Sequence, residues 1–341
     1  MKRILILGGT RFIGKAICRT FLEQGYEVHI LHRGFHKCEA TSPRIFAHHG
    51  NIHNALEYKK LLKTYSFDAI IHTIAYENKD IMPLLQILKT EKVPLITIST
   101  GQVYLVTLPP KEEYVEEDYN RLLMPAPQDE ANYSQWEYGI KKRDVEDTLT
   151  QWYEDYNIPS VTIRSPVVQG NLDYSYRLYS YIARILDGNP IILPHNGNPV
   201  ISHIWVEDLA RAVLKIAESG PHSRLCFNVS MNERLLLKEF IQEVGNILDK
   251  PTEIYMVNEP SSQVNSVAIN ASPYSGGWVS VLNADRIKET YQWNPTPLHQ
   301  WLHEVVTYQA GRFDPNQLSN YVHRNSEIEM LETYPDLFTR L

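Results

Sequence analysis

Tyr138 and Lys142 stand four residues apart in the segment YGIKK, the spacing that puts two side chains on one face of a helix. A free tyrosine hydroxyl titrates near ~10 and is a weak base at neutral pH. An adjacent ammonium favours the phenolate, so such a pair can take up and return a proton while a hydride moves at a neighbouring carbon. With 21 tyrosines in the chain, one Y-x-x-x-K can arise by chance, and the spacing needs company. It finds some in TISTGQVY, which sets Ser99 and Thr100 at the end of a predicted strand. A hydroxyl there can hydrogen-bond a substrate oxygen, or simply cap a turn.

A second group of residues has the chemistry of a nucleotide site. In ILGGTRFIGKAI, Gly8, Gly9 and Gly14 surround a strand-to-helix junction. Glycine lets the backbone approach a pyrophosphate, and the helix N-terminus favours an anion. Arg11 interrupts the glycines. The following strand ends in ILHRG, where folds that take NAD usually place an acid to hold the ribose hydroxyls. His32 and Arg33 occupy that place. A cation suits a 2′-phosphate, so the expected cofactor is NADP, with NAD as the alternative, and Arg11 is a second cation for the adenosine end. The competing reading of Arg33 is a solvated loop arginine.

These side chains need a frame. Strand-like runs (RILIL, YEVHILHRG, FDAIIHTIA, VPLITIST) take turns with helical patterns (RFIGKAICRTFLEQG, NALEYKKLLKTYS, KDIMPLLQILKTEK). That alternation predicts an α/β fold, a Rossmann-like doubly wound parallel sheet with ligands at the carboxyl ends of its strands. The polar stretch Thr107–Asn132 interrupts it. Its acidic run KEEYVEED reads as a solvated loop, a lid or a disordered insertion. A long helix is predicted over Ser134–Tyr156, then a strand, SVTIRS. Later, LYSYIARILDG, EDLARAVLKIAESG and LKEFIQEVGNILDK read as amphipathic helices, and IILP, CFNVS and TEIYMV as short strands. The division expected is 1–170 as a nucleotide-binding domain, with 200–230 returning to it. Residues 171–199 and 231–310 form a smaller C-terminal substrate-binding lobe, and 311–341 an extension of unassigned role.

Bulk properties exclude some functions. A net charge of −7 over 341 residues disfavours nucleic acid as a partner. The three cysteines, Cys18, Cys38 and Cys226, have no C-x-x-C spacing, so neither a structural zinc nor a disulfide framework is expected, and no metal site is assigned. No run approaches the ~20 apolar residues of a membrane span, and the short run Ile4–Leu7 is no signal sequence. The expectation is a cytoplasmic protein acting on a small molecule.

The order of these features resembles the short-chain dehydrogenase/reductase superfamily, specifically its extended branch of nucleotide-sugar epimerases and dehydratases, over about residues 1–310. GGTRFIG is similar to the branch's G-G-x-G-F-I-G turn, with Arg11 for the middle glycine. DAIIHTIA resembles its segment lying along the cofactor, STGQVY its S-S-x-x-V-Y, YGIKKRDVE its Y-G-x-x-K-x-x-x-E helix, and TIRSPVVQG its R-P-x-x-V-x-G. ISHIWVEDLARAV is similar to its V-x-D-x-A segment, with Asp208 as a helix cap. The G-G-T-R-F-I-G variant also looks like chloroplast stem-loop RNA-binding proteins, in which the catalytic residues are often degraded.

The resemblance implies a catalytic set of Thr100, Tyr138 and Lys142. It implies cofactor contacts from Gly8, Gly9, Thr10, Arg11, Phe12, Ile13, Gly14, His32, Arg33, Asn51, Ile52, Thr73 and Lys142. Substrate contacts would come from Asp173, Arg177 and Arg184, the last two competing with a plain salt-bridging role. It further implies an NAD(P)-dependent oxidoreductase or epimerase acting on a carbonyl or alcohol carbon of a nucleotide-activated sugar, and a homodimer formed through the tyrosine-bearing helix. Dehydration is disfavoured because Gly101 and Gln102, not an acid, follow Thr100. The rival reading is a non-catalytic RNA-binding or regulatory protein that retains a dinucleotide pocket.

Overall fold

The structure is a computed structural model that describes residues 2–34, 42–195, 197–312, 314, 318–319 and 321–341. Cys38 therefore lies outside the described residues. The chain forms two compact units.

The first unit comprises Met1–Val168, Ile204–Ser230 and Ser280–Pro295. Its centre is a seven-stranded sheet of β1 (Arg3–Leu7), β2 (Glu27–His32), β3 (Ile45–His49), β4 (Ala69–His72), β5 (Leu95–Thr100), β6 (Ser160–Ser165) and β7 (Arg224–Asn228). The spatial order is 3-2-1-4-5-6-7, and every pairing is parallel. The order reverses between β1 and β4, and such a switch point opens a crevice at the strands' carboxyl ends.

β1 shows how the layers form. Ile4 and Ile6 face a core shared with Ala16, Ile17 and Phe21 of α1 (Phe12–Glu23) and with Leu209 and Val213 of helix Val206–Ser219. Leu5 and Leu7 face the opposite core, with Tyr58 of α2 (Ala55–Thr64), Leu84 and Leu88 of α3 (Asn78–Glu91) and Val145 and Leu149 of α5 (Glu130–Tyr156), which follows the short α4 (Gln102–Leu105). A strand buried on both faces reads as a continuous apolar run, as RILIL does.

β3 was not expected from the sequence. Among the described residues it pairs with β2 alone, at the sheet edge, so its residues are partly buried or exposed, and IFAHH carries no long apolar run. α5 begins at Glu130, capped by the Asp129 side chain on the Asn132 N–H at 2.9 Å, rather than at Ser134. Pro83 lies inside α3, where it cannot donate to the Lys79 carbonyl. The His53 ring takes that acceptor instead, at 3.1 Å, and so ties the entry of α2 to α3. The segment Ser280–Pro295, read from sequence as part of the second lobe, packs in the first unit. Its Ile287 and Trp293 enter the α1-side core, and Trp293 Nε1 donates to the Asp208 carbonyl at 3.2 Å.

The second unit comprises Gln169–His203, Met231–Val279 and Thr296–Leu341. Its three-stranded sheet has Ile254–Val257 at the centre, parallel to Ile191–Leu193 and antiparallel to Phe338–Arg340. The tail after Gly311, which had no assigned role, thus supplies a strand, and its helix Arg324–Thr333 packs Met330 and Leu331 on the same small core. Among the described residues no helix is long and apolar enough to cross a membrane.

Candidate active site

At the end of β1 the chain turns through Gly8, whose φ of +88° favours glycine. A Cβ there would lie 2.5 Å from Thr73 Oγ1, and a Cβ on Gly14 would collide with the Gly8 carbonyl. Thr73, at the end of β4, puts its hydroxyl within reach of the Leu7 and Gly8 carbonyls at 2.9 and 3.2 Å. The switch point is therefore braced by Thr73 across the turn. Thr10 and Ile13 are partly buried, Phe12 adopts φ 35°, and no side chain caps α1 at Arg11, which is exposed. Backbone N–H groups at the N-terminus of α1 and the paired glycines Gly8 and Gly9 make a cradle that fits a pyrophosphate.

The residues expected at the adenosine end divide. Arg33 is exposed at the turn after β2. His32 Nδ1 accepts the Gly34 N–H at 3.1 Å, and burial together with the neighbouring His49 lowers the pKa of its ring. His32 is therefore a neutral turn residue, which leaves Arg33 and Arg11 as the cations of this end. Asn51 Oδ1 accepts the His53 N–H at 3.0 Å in the approach to α2. Ile52 is buried, and its carbonyl accepts the Tyr58 hydroxyl at 2.9 Å.

The proposed catalytic residues come from β5 and α5. Thr100 closes β5, and its Oγ1 accepts the Gln102 N–H at 3.2 Å. Tyr138 is 36% exposed, whereas Lys142, one turn further along α5, is buried. The Lys142 ammonium donates to the carbonyls of Ala75 and Ile98 at 2.7 and 2.9 Å, which lie beyond β4 and within β5. Burial pushes its pKa down to about 8, opposed by the charges of Glu146 and Asp80. Gly139 lets α5 approach α4, since a Cβ there would lie 2.6 Å from Val106 and 3.0 Å from the Gln102 carbonyl. That contact explains the glycine beside the tyrosine.

Glu146, four residues past Lys142, is buried and accepts the Ser99 hydroxyl at 2.6 Å and the Arg164 guanidinium at 2.6 and 3.0 Å. Arg164 in turn donates to Tyr104 at 2.7 Å, and Tyr104 donates to Asn228. The acidic run joins this network. Glu116 accepts the Asn228 N–H at 2.8 Å, and Asp118 accepts the Val115 N–H and Lys111. Both carboxylates are buried, so the solvated-loop reading of KEEYVEED is corrected. Alternation made the run look polar, yet Tyr114, Glu116 and Asp118 point inward while Glu117 stays outside. Asp208 occupies the third position of its helix, paired with Arg211, and the N-cap is Trp205.

In the second unit Asp173 is buried, accepts the Ser175 N–H and hydroxyl at 2.9 and 2.8 Å, and has its pKa raised by burial. Arg177 Nε donates to the Ser175 hydroxyl at 3.1 Å. Arg184 is fully buried and donates to Glu327 at 2.6 and 3.0 Å and to Ser180 at 2.7 Å. Its fork is engaged by these buried partners, which favours the salt-bridging alternative over a substrate contact for Arg184. The sequence signal for its partner lay in the unread tail. Among the described residues no group of three or more His, Cys, Asp and Glu side chains could hold a metal ion.

Residues 4–230 match the NAD dependent epimerase/dehydratase family. The chain belongs to this family. It is similar to the chloroplast stem-loop binding protein of 41 kDa b from Arabidopsis thaliana, at 27% identity over 244 residues. That similarity covers 67% of this chain and 58% of the relative, so the chain spans less than two thirds of the relative's length. Solved structures with the same fold include dTDP-glucose 4,6-dehydratase from Bacillus anthracis in complex with NAD (TM-score 0.70, 19% identity, 90% of this chain and 96% of that one). UDP-glucose 4-epimerase from Thermotoga maritima with UDP-glucose is as close (TM-score 0.70, 19% identity, 92% and 100%). At such identities the likeness establishes the Rossmann-like fold of the family, and the chemistry has to be argued from the residues.

Proposed function

We propose that this family member is an NAD(P)-dependent oxidoreductase or epimerase that acts on a carbonyl or alcohol carbon of a nucleotide-activated sugar. The observation that carries the reading is the Lys142 ammonium, buried and pinned to two carbonyls one helical turn from the partly exposed Tyr138. A cation fixed there favours a phenolate, and the phenolate takes the substrate hydroxyl proton and returns it. The remaining ammonium N–H would hold the nicotinamide ribose. Thr100 orients the substrate oxygen. When bound, the nicotinamide ring supplies hydride acceptance and return. The glycine turn holds the pyrophosphate, and Arg11 and Arg33 favour a 2′-phosphate, hence NADP. The nucleotide-sugar class draws support from structural neighbours that are described as bound to UDP-glucose or as acting on dTDP-glucose. No acid follows Thr100, and Gln102 is tied to Gln135 at 3.1 Å, which disfavours dehydration.

Tyr138→Phe tests the mechanism. Turnover with a panel of nucleotide sugars should fall by roughly 10²–10⁴-fold, the typical contribution of a positioned acid/base, while NADPH binding is retained. Unchanged turnover refutes the role. The stem-loop-binding relative favours a second reading, an RNA-binding protein that keeps the dinucleotide pocket. The intact Thr100, Tyr138 and Lys142 and the net charge of −7 weigh against it. Tight binding of a stem-loop RNA that weakens steeply with salt would reverse that ranking.

A further inference from the structure

Lys142 is a buried ammonium whose two bonds go to neutral groups, the carbonyls of Ala75 and Ile98, and among the described residues it has no ion-pair partner. Burying an unpaired charge is costly, so its surroundings must offset it. The Ala75 carbonyl belongs to the peptide group whose N–H is that of Tyr76. That N–H donates to Asp80 Oδ2 at 2.8 Å, and the Glu77 N–H donates to the same oxygen at 3.0 Å. One peptide group thus accepts from the ammonium at one end and donates to a buried carboxylate at the other. Hydrogen bonds in such a chain polarise one another, which makes the carbonyl a better acceptor for a cation. The second carbonyl is braced in a similar way. Ser99 follows Ile98 on β5, and its hydroxyl donates to the buried Glu146 at 2.6 Å. Glu146 lies one turn beyond Lys142 on α5, as Lys142 lies one turn beyond Tyr138.

We propose that Asp80 and Glu146 are positioning residues for the Tyr138–Lys142 pair: each braces the segment carrying one of the two carbonyls that hold the ammonium, and their charges keep it a cation. The inference rests on the acid/base reading of that pair and adds to it the source of the lysine's charge. Burial pushes the Lys142 pKa down to about 8, and Glu146 and Asp80 oppose that fall. The other groups of this corner are accounted for. His72 donates from Nε2 to the Asp80 carbonyl at 3.1 Å, and burial holds its pKa down to about 4. The exposed His53 sets Nε2 3.6 Å from Asp80 Oδ1 while its Nδ1 donates to the Lys79 carbonyl. Tyr58 keeps its phenol proton on the Ile52 carbonyl, and the Lys79 ammonium pairs with Glu77. Arg164 is bound to Glu146 at 2.6 Å and keeps that carboxyl ionised against its burial.

Asp80→Asn is the clean variant. Its amide oxygen can still accept from Tyr76 and Glu77, and its NH2 faces His53 Nε2, so the geometry is kept and the charge removed. Glu146→Gln also unpairs the buried Arg164, so Asp80→Asn decides the matter whether or not that second variant folds. NMR of the full chain with lysines labelled at Cε reads the charge directly, the Lys142 signal being the one absent from Lys142→Arg. It should titrate near 8 in the parent. In Asp80→Asn it should titrate about one pH unit lower, the order expected for removal of a nearby opposite charge. The pH profile of turnover should narrow from both sides. Its alkaline limb, where Lys142 loses its proton, moves down, and its acid limb, where Tyr138 must ionise, moves up because a less charged lysine favours the phenolate less. An Asp80 that only shapes the loop would move neither limb. The proposal is overturned if Lys142 titrates in Asp80→Asn as it does in the parent, or if the profile drops in height without narrowing. Its failure is separable from that of the mechanism. An unshifted Lys142 in Asp80→Asn, with turnover abolished by Tyr138→Phe, sinks this inference alone, and a shifted Lys142 in a protein whose turnover survives Tyr138→Phe sinks the mechanism alone.

Discussion

Two neighbouring residues, His32 and Arg33, look alike in sequence and differ in structure. His32 accepts a backbone N–H on Nδ1 and is held neutral by burial, whereas Arg33 is exposed. The preference for NADP therefore falls on the arginines. Arg33→Ala should weaken NADPH by about tenfold or more, the loss of one charged hydrogen bond, and leave NADH nearly unaffected. Fluorescence titrations with the two cofactors measure this, and equal losses for both would remove the 2′-phosphate role. Sequence could not separate the pair because what lowers the His32 pKa, its burial and the neighbouring His49, is set by the packing of the next strand. The glycines were more legible. Gly8 is required by its own positive φ and Gly14 by its contact with the Gly8 carbonyl, so motif and cause lie within a few residues of each other.

At the scale of elements, the legible parts were those with internal periodicity. α1, α2, α3 and the strands β1, β2, β4 and β5 carry their own pattern, and all were foreseen. β3 was not, because a half-exposed edge strand has no apolar signature. The tail was missed for a similar reason: helix Arg324–Thr333 packs the adjacent Met330 and Leu331 on the core but is otherwise anchored by ions, so it shows no periodic apolar stripe. Arg324 donates to Asp187 at 2.7 Å and to Glu327 at 2.9 Å, and Glu327 holds Arg184. Charges from two segments, with partners 137 to 143 residues apart, leave no local trace in the sequence. Removing one partner from a buried ion pair costs about 3–5 kcal/mol, so Arg184→Ala should lower stability by that order in denaturant unfolding. A parent-like unfolding midpoint, accompanied by loss of substrate affinity, would return Arg184 to the binding site.

For the whole molecule, acid is the informative stress. His72 and His203 are buried, and burial pushes their pKa values down to about 4 and about 3; His29 and His48 are lowered for the same reason. Their unfolded value is near ~6.5, so below that pH the unfolded chain binds more protons than the folded one. Stability from these neutral rings is present at pH 7 and is lost as pH falls from about 6.5 toward 4 for His72 and toward 3 for His203. Calorimetric scans should show Tm falling steadily between pH 7 and 4. A Tm that is flat or rises over that interval would contradict the buried, uncharged state. Net charge and cysteine spacing had bounded the class of protein from sequence but could not reveal this, since burial of a histidine depends on neighbours far along the chain.

The discontinuity of the first unit carries a consequence for how the protein is made. Gly101, next to the proposed catalytic hydroxyl, is walled by Ser280 and Leu282, and Tyr114 exchanges backbone hydrogen bonds with Val281 and Asn283 at 2.9 Å. A ribosome delivers Thr100, Tyr138 and Lys142 long before it delivers that wall. A nascent chain can thus hold every proposed catalytic side chain and the glycine turn while its central strand end is still open to water. Competence then arrives late in synthesis, when a segment with no chemistry of its own closes over the strand.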